Sequence, residues 1–473
     1  MNYKSILFFL GFYSLFVSFF SILNILYSIY FEHIISLNSY LLTLLISLFI
    51  GLFLCFLGKN HYQNISLVDQ IIVIILSFLL IPLLVSLPYF LSTYNIGLLN
   101  AYFESVSGIT TTGFSIIENI EYIDEPLLLW RSSSQWLGGL LFLIATIGTI
   151  GSKQIKIKPA YFVPGGTSGR NFYNNFNYNF LRILIIYVFS TLFVIFIYTL
   201  IDIRLLDSFN LAFTVVSSGG FISDNNLSAI IGNNLQVFIL SLTLLIPIIN
   251  FYLFFNILTK QFLLKKHQED LHLIILILIL TGILYFFIVP NEGIFNVFLG
   301  VTSSISTSGI STYSSNFDLS LLFILLTIIG GSLISTSSGF KYVRLYILLK
   351  ISYQEIYRLV KPINIIDKNL FNSESKINDD DLKIAFLVFI TFIISIFILS
   401  SILTLDNLSF QNSFKLSILT LTNTVTSSLY GFDNLSFFSL NNFTKVSLIV
   451  FMILGKVEII ALLYLIKRLI FKE

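Results

Sequence analysis

One short pattern occurs four times along the chain, each time between two apolar segments long enough to cross a membrane. Each copy joins a helix-like stretch with an aromatic residue to a run of serines and threonines, usually followed by glycine. The copies are SVSGITTTGF at 105–114, FNLAFTVVSSGGF at 209–221, FLGVTSSISTSGI at 298–310 and the weaker FKLSILTLTNTV at 414–425. Because a recurring unit constrains the architecture more than any single segment, the sequence predicts four similar units.

The spacing within the copies identifies equivalent positions. In three copies an aromatic residue stands 11 residues before a glycine, the pairs being Tyr102 and Gly113, Phe209 and Gly220, and Phe298 and Gly309. The same spacing from Phe414 ends at Val425 instead of a glycine. Gly431 is an alternative fourth glycine if the loop is realigned, but it breaks the spacing, and Val425 is therefore preferred.

The composition restricts the class of protein. Of 473 residues, 56% are hydrophobic and only 11% are charged, which is more apolar surface than a soluble domain of this size can bury. The net charge of +2 gives no indication of nucleic-acid binding, because the charges lie between apolar runs. Cys55 is the single cysteine, which excludes an intrachain disulfide framework. The apolar N-terminus lacks a small-residue cleavage site, and we therefore expect a retained helix.

These features predict an all-α polytopic membrane protein with four span–pore loop–span repeats around a central pore, preceded by an extra helical pair. Spans are expected at about 6–30, 40–57, 68–91, 127–150, 180–201, 235–258, 271–289, 319–349, 382–405 and 444–471. The resulting divisions are the extra pair at 1–62, pore units at 63–158, 159–262, 263–351 and 382–473, and a cytoplasmic linker at 352–381.

The charge distribution predicts the orientation. Lysines and arginines concentrate at 153–182, 260–266, 341–368 and 467–472, and the positive-inside rule places these regions and both termini in the cytoplasm. Acids concentrate at 118–125, 224 and 318, so the recurring loops open to the outside. Arg131, Arg204 and Lys415 are exceptions to the rule.

The recurring loops have two interpretations. Membrane serines and threonines often bond back to their own helix, and small residues often serve helix packing. Four such loops at one spacing instead favour a ring of backbone carbonyls that replaces the hydration shell of a potassium ion. We call these the filter segments, and their candidate ion-binding residues are Thr110, Thr111, Thr112, Gly113, Ser217, Ser218, Gly219, Gly220, Ser306, Thr307, Ser308, Gly309, Thr422, Asn423, Thr424 and Val425.

Two further features suggest a gate. The stretch GGSLISTSSGFK at 330–341, called the gate loop below, interrupts an apolar span and is either a small-residue packing face or a flexible loop that blocks the pore. Lys456 lies inside the last span, where it either extends to the cytoplasmic surface or faces the pore and repels ions. The candidate gate residues are Gly330, Gly331, Ser335, Thr336, Gly339, Lys341 and Lys456.

Together with these segments, several stretches carry a resemblance to a known family. They are PYF at 88–90, LLLWRSSSQWLGG at 127–139, SSGGFISDNN at 217–226, IPIINF at 246–251, GGSLISTSSGFKYVR at 330–344 and LGKVEI at 454–459. With them the chain resembles the Trk/Ktr/HKT superfamily of potassium transporters, specifically its TrkH-like membrane subunits.

The resemblance implies potassium as the transported ion at the filter segments, a gating loop within the membrane and a basic residue of the last span facing the pore. It also implies a homodimer in the bacterial inner membrane whose cytoplasmic face binds a TrkA-like nucleotide-binding regulatory subunit. The chain departs from the family at Lys456, where arginine is usual, and at Val425, where glycine is usual. A valine there is expected to strain the backbone and to loosen discrimination between potassium and sodium.

The expected function is therefore cation influx driven by the membrane potential, with potassium favoured. A sodium-permeable or poorly selective member is one alternative. A coupled secondary transporter built from inverted repeats is another, but its repeats would alternate in orientation, whereas these four loops all open outside. An enzyme is not expected, since no nucleophile and base are paired within the spans. No nucleotide or zinc motif occurs, so no bound cofactor other than the transported ion is predicted.

Overall fold

The computed structural model describes residues 2–33, 35–59, 67–150, 172–258, 267–288, 293–312, 319–360, 369–371, 377–406, 408–432 and 435–457. The α-helices in these ranges are α1 Tyr3–Tyr30, α2 Leu37–Gly58, α3 Leu67–Phe90, α4 Leu98–Ile109, α5 Glu125–Ile150, α6 Phe172–Leu200, α7 Leu205–Ser217, α8 Leu227–Ile230, α9 Asn234–Thr243, α10 Phe251–Leu258, α11 Gln268–Ile283, α12 Ile294–Ile305, α13 Ser320–Ile329, α14 Tyr342–Val360, α15 Asp379–Thr404, α16 Phe410–Thr422 and α17 Asn442–Val457. Most of the basic linker residues, including 153–170, 260–266, 361–368 and 458–473, lie outside the described residues.

The described part of the chain is an all-α, multi-pass membrane fold. Six helices are long and apolar enough to cross a bilayer, the sequences involved being Tyr3–Tyr30, Leu37–Gly58, Val68–Phe90, Leu181–Leu200, Gln268–Phe287 and Asp379–Thr404. Helices of this length form because the backbone polar groups are satisfied within the helix, while the leucine, isoleucine and phenylalanine side chains face lipid or the protein core. The predicted fold class is confirmed.

Four of the shorter helices in the described part of the chain lead into the filter segments. Helices α4, α7, α12 and α16 have 12 or 13 residues, which corresponds to about 18–20 Å and is too short to cross a hydrocarbon core of about 30 Å. Each follows a long helix in the chain (α3, α6, α11 and α15), and each leads directly into one filter segment. The short helices therefore bring the filter segments to partial depth in the membrane.

The extra helical pair packs closely on itself through small residues. A Cβ atom placed on Gly11 of α1 would lie 2.7 Å from the backbone nitrogen of Cys55 in α2. Nearby, the hydroxyls of Ser18 and Ser47 are 3.0 Å apart and form a hydrogen bond between the two helices. Small residues permit this approach, and the hydrogen bond adds to the association of helices in lipid.

Two predicted inner spans are broken. The predicted break at 330–341 is present, since α13 ends at Ile329 and α14 begins at Tyr342. The continuous span predicted for 235–258 is wrong, because residues 244–250 separate α9 from α10. Pro247 lies within this second break, and a proline removes one helical donor and clashes with the preceding turn. The predicted linker at 352–381 also begins as helix, since α14 continues to Val360.

Candidate functional site

The ends of the four filter segments meet at one place. A Cβ atom placed on Gly113 would lie 3.1 Å from the Cα of Gly220, and one on Gly220 would lie 2.8 Å from the carbonyl oxygen of Ser308. One on Gly309 would lie 2.9 Å from the carbonyl oxygen of Val425. The last residues of filter segments from four different units are therefore within van der Waals contact.

The backbone repeats in register through all four segments. Each has a residue with left-handed backbone angles two positions before its last residue: Thr111 (φ +56°), Ser218 (φ +57°), Thr307 (φ +62°) and Asn423 (φ +49°). This common position aligns Val425 with the three glycines. Gly431 lies elsewhere, because a Cβ on it would be 3.1 Å from the ammonium nitrogen of Lys415.

The φ angle of the last residue differs among the four filter segments. Gly113 and Gly309 have φ angles of +83° and +67°, whereas Gly220 and Val425 are not among the residues with positive φ. Glycine is therefore required by the backbone at two of the four positions. The expected backbone strain at Val425 is absent, since the valine has an ordinary φ angle.

The hydroxyl run of each filter segment begins with a contact to its own short helix. The first hydroxyl bonds back to its own short helix, as when Thr110 donates to the carbonyl oxygen of Val106 at 2.7 Å and Ser217 to that of Phe213 at 2.7 Å. Ser306 and Thr422 do the same. The ordinary packing role thus applies to the first residue of each run. The short helices end here, and their partial negative C-termini favour a cation at the meeting point.

The gate loop lies directly against the left-handed residues. The hydroxyl of Ser218 donates to the carbonyl oxygen of Thr336 at 2.8 Å, and the hydroxyl of Thr336 donates to the carbonyl oxygen of Val216 at 2.9 Å. The backbone nitrogen of Ser338 donates to the hydroxyl of Thr307 at 3.0 Å. Two filter segments are therefore hydrogen-bonded to the same loop.

Lys456 joins a third filter segment to the gate loop. Its ammonium donates to the hydroxyls of Thr111 at 2.7 Å and Ser338 at 3.0 Å and to the carbonyl oxygen of Thr336 at 3.3 Å. It also lies 4.4 Å from the ring centroid of Phe142. Lys456 is fully buried, so it does not extend to the surface. These oxygens and the ring compensate the cost of burying its charge.

The chain is similar in sequence and in fold to known cation transporters. No family model matches the chain. The Trk system potassium uptake protein TrkG of Escherichia coli is 26% identical over a region that covers 83% of this chain and 83% of TrkG. A relative from Methanocaldococcus jannaschii, described as an uncharacterized cation transporter, is 26% identical over 96% of this chain and 94% of its own length. The crystal structure of the potassium transporter TrkH from Vibrio parahaemolyticus superposes with a TM-score of 0.82, at 22% identity, over 98% of both chains.

The chain is similar in sequence to Trk system potassium uptake proteins, and its fold is similar to that of TrkH.

A second buried lysine organises the gate loop of this TrkH-like chain from within. The ammonium of Lys341 donates to the carbonyl oxygens of Ser337 at 2.6 Å, Ser332 at 3.2 Å and Ser335 at 3.3 Å, and to the hydroxyl of Ser335 at 3.1 Å. Four oxygen contacts of this kind hold the loop around one cation. Lys341 therefore connects several residues of the gate loop, for which the sequence indicated either a packing face or a flexible loop.

The second helix break supports the gate loop from its other side. The backbone nitrogen of Ser332 donates to the carbonyl oxygen of Ile248 at 2.8 Å, and that of Phe251 donates to the carbonyl oxygen of Ile334 at 2.9 Å. The two interrupted spans thus supply each other with the hydrogen bonds that their own helices lack. Irregular backbone at membrane depth is stable only when its polar groups are satisfied in this way.

Two acids at the start of α11 complete this support, and neither was predicted from the sequence. A carboxylate oxygen of Glu269 accepts a hydrogen bond from the backbone nitrogen of Leu333 at 2.9 Å. Asp270 accepts from the backbone nitrogen of Asn250 at 2.9 Å and contacts the ring nitrogen Nδ1 of His267 at 3.2 Å. The available signal was a pair of adjacent acids at the beginning of an apolar span.

The three exceptions to the positive-inside rule each have a partner. Arg131 forms a buried ion pair with Glu104 at 3.1 Å, and Arg204 contacts the carboxylate of Glu125 near the surface. The ammonium of Lys415 donates to the hydroxyl of Ser320 at 2.6 Å. Specific tertiary contacts therefore explain the positions of these cations.

Helix α5 supports the chain just beyond two filter segments. Glu104 accepts a hydrogen bond from the backbone nitrogen of Ile116 at 2.8 Å while it is paired with Arg131. Gln135 accepts from the backbone nitrogen of Phe221 at 3.2 Å, and a Cβ on Gly219 would clash with the same amide at 2.1 Å. Gln135 was not predicted from the sequence, since its contact is with another unit.

Proposed function

We propose that the chain is the ion-conducting membrane subunit of a potassium uptake system. The observation that carries this proposal is the meeting of four filter segments with the same left-handed position, each at the C-terminal end of a short helix. Backbone and hydroxyl oxygens in such a ring replace the hydration shell of a monovalent cation. The relatives named as Trk system potassium uptake proteins favour potassium as that ion.

Inward movement of the ion through the proposed path needs no chemical reaction. An ion that crosses the membrane potential gains about 2.3 kcal/mol per 100 mV. The oxygens of the filter segments lower the cost of dehydration, and the C-terminal ends of α4, α7, α12 and α16 add favourable partial charges. The membrane is the bacterial inner membrane, with the filter segments open to the outside and both termini in the cytoplasm.

The gate loop and Lys456 close the path in the conformation described above. Three filter segments are linked to this barrier, through Thr111, Ser218 and Thr307. The ammonium of Lys456 adds electrostatic repulsion for any cation that leaves the filter segments. Opening moves the gate loop away and breaks these contacts. A homodimer and a TrkA-like nucleotide-binding regulatory subunit on the cytoplasmic face control this movement, as the relatives' assignment to Trk systems suggests.

A coupled transporter with inverted repeats fits the contacts less well. In three filter segments the left-handed residue contacts the barrier, and all three contacts are made to one side of it. Segments from inverted repeats would present opposite ends to the same side. A sodium-permeable member remains the second candidate, because Val425 replaces a glycine at the meeting point.

The function can be tested in a bacterium that lacks its own potassium uptake systems. We expect the chain to restore growth at limiting potassium, and Gly113→Ala to abolish it, because Gly113 has φ +83° and its added Cβ would lie 3.0 Å from that of Val425. Gly232→Ala is the matched control, since nothing lies within 4 Å of a Cβ at that position. Normal growth with Gly113→Ala would remove the first segment from the ion path. Restored growth that disappears when sodium is added would favour the sodium-permeable candidate.

A further inference from the structure

The side chain of Val425 lies between the other three filter segments. A Cβ atom placed on Gly220 would be 2.5 Å from the Cβ of Val425 and 2.7 Å from its Cγ1. One on Gly113 would be 3.1 Å from Cγ2, and one on Gly309 would be 2.7 Å from Cγ1. Both methyl groups therefore contact glycines of different units. The valine side chain occupies the space that the three glycines leave around the common axis.

This position changes the chemistry of the ring at one level. A glycine contributes only backbone, so three units leave room there for an ion and its oxygen ligands. The isopropyl group of Val425 fills that room and has no lone pair to offer a cation. Its χ1 angle is stiff because valine is branched at Cβ, and displacing the group from its rotamer is unfavourable.

The backbone conformation of Val425 does not explain this loss of room for an ion. Val425 has no positive φ angle, and Gly220 shares this property, so the valine replaces a glycine without forcing the chain into a strained conformation. The difference between the fourth segment and the others at this level is the side chain itself.

We propose that Val425 is a side-chain constriction at the outer end of the filter segments, and that it limits both the rate and the size of the monovalent cations that pass. The constriction removes one set of oxygen ligands from the ion path. A cation then passes only when the valine side chain is displaced. This inference rests on the proposed function, since it concerns the same ion path.

The test is tracer uptake of potassium and caesium in the uptake-deficient bacterium, with the complete chain and three variants. Val425→Ala and Val425→Gly both remove the constriction, and we expect each to increase potassium uptake about tenfold by removing the barrier of one tightly held rotamer. Both are also expected to raise the ratio of caesium to potassium uptake. Val425→Ile keeps an apolar side chain branched at Cβ and is the matched control, for which neither potassium uptake nor the ratio of caesium to potassium uptake is expected to rise.

The variants separate the side chain from the backbone. A change in Val425→Gly that is absent in Val425→Ala would overturn the constriction, because alanine removes the methyl groups without the backbone freedom of glycine. A ratio of caesium to potassium uptake in Val425→Ile as high as in Val425→Ala would also overturn it. Absence of cation uptake by the wild type and all three variants would instead contradict the proposed function.

Discussion

Ser218 and Thr336 connect the second filter segment to the gate loop through two hydrogen bonds in opposite directions. The hydroxyl of Ser218 donates to the carbonyl oxygen of Thr336 at 2.8 Å, and the hydroxyl of Thr336 donates to the carbonyl oxygen of Val216 at 2.9 Å. The two residues are 118 positions apart in the chain. Movement of the gate loop would therefore act directly on the backbone of the second filter segment.

Replacing Thr336 by valine should favour the open conformation. The variant retains the shape of the side chain and the carbonyl acceptor but loses the donor to Val216, a contact worth about 1 kcal/mol, or about fivefold in an equilibrium. We expect a corresponding rise in potassium uptake. Ser241→Ala is the control, because Ser241 donates only within its own helix, to Val237 at 2.7 Å. Equal uptake by the Thr336 variant and the wild type would show that this contact does not hold the gate loop closed.

Shortening the gate loop should raise uptake more strongly. Deletion of residues 335–338 removes the contacts with Ser218, Thr307 and Lys456 together and leaves less backbone across the path. Rubidium tracer uptake by cells that express equal amounts of protein measures the effect. Unchanged uptake in a well-expressed deletion would assign the gate loop to helix packing alone.

Lys456 should act through its charge. In Lys456→Met the cation beneath the filter segments and its hydrogen bonds to Thr111 and Ser338 are lost, so we expect faster cation uptake. Lys456→Arg keeps the charge and is expected to remain near the wild-type rate, although its planar group distributes its donors differently. A methionine variant with wild-type uptake would exclude Lys456 from the barrier.

The stability of the fold should depend on Glu104 and Arg131 together, because they form an ion pair. Both side chains are buried, and removing one partner leaves an uncompensated charge, which typically costs about 3–5 kcal/mol. We expect Arg131→Met to lower the unfolding temperature of the detergent-solubilised protein strongly. The double variant Glu104→Gln with Arg131→Met is expected to be less destabilised than that single variant. A double variant destabilised by the sum of both single effects would show that the two charges do not interact.

The recurring spacing predicted that Val425 is equivalent to the three glycines, and in the structure its side chain lies against them. The interruption at 330–341 was also predictable, since glycines and serines weaken a helix through local preferences. The break at 244–250 was not predicted, because one proline in an apolar run is compatible with either a kinked or an interrupted helix. Its hydrogen bonds come from the gate loop of another unit.

The sequence by itself determined the membrane class, because this follows from the length of its apolar segments. Its regular spacing predicted four similar units and the residues that supply each filter segment. Only the tertiary structure decided that Lys456 contacts Thr111, that Glu269 supports Leu333 and that the side chain of Val425 lies among three glycines. Each of these contacts joins residues that are far apart in the chain. Their geometry depends on how the helices pack in three dimensions, and local sequence preferences do not specify that packing.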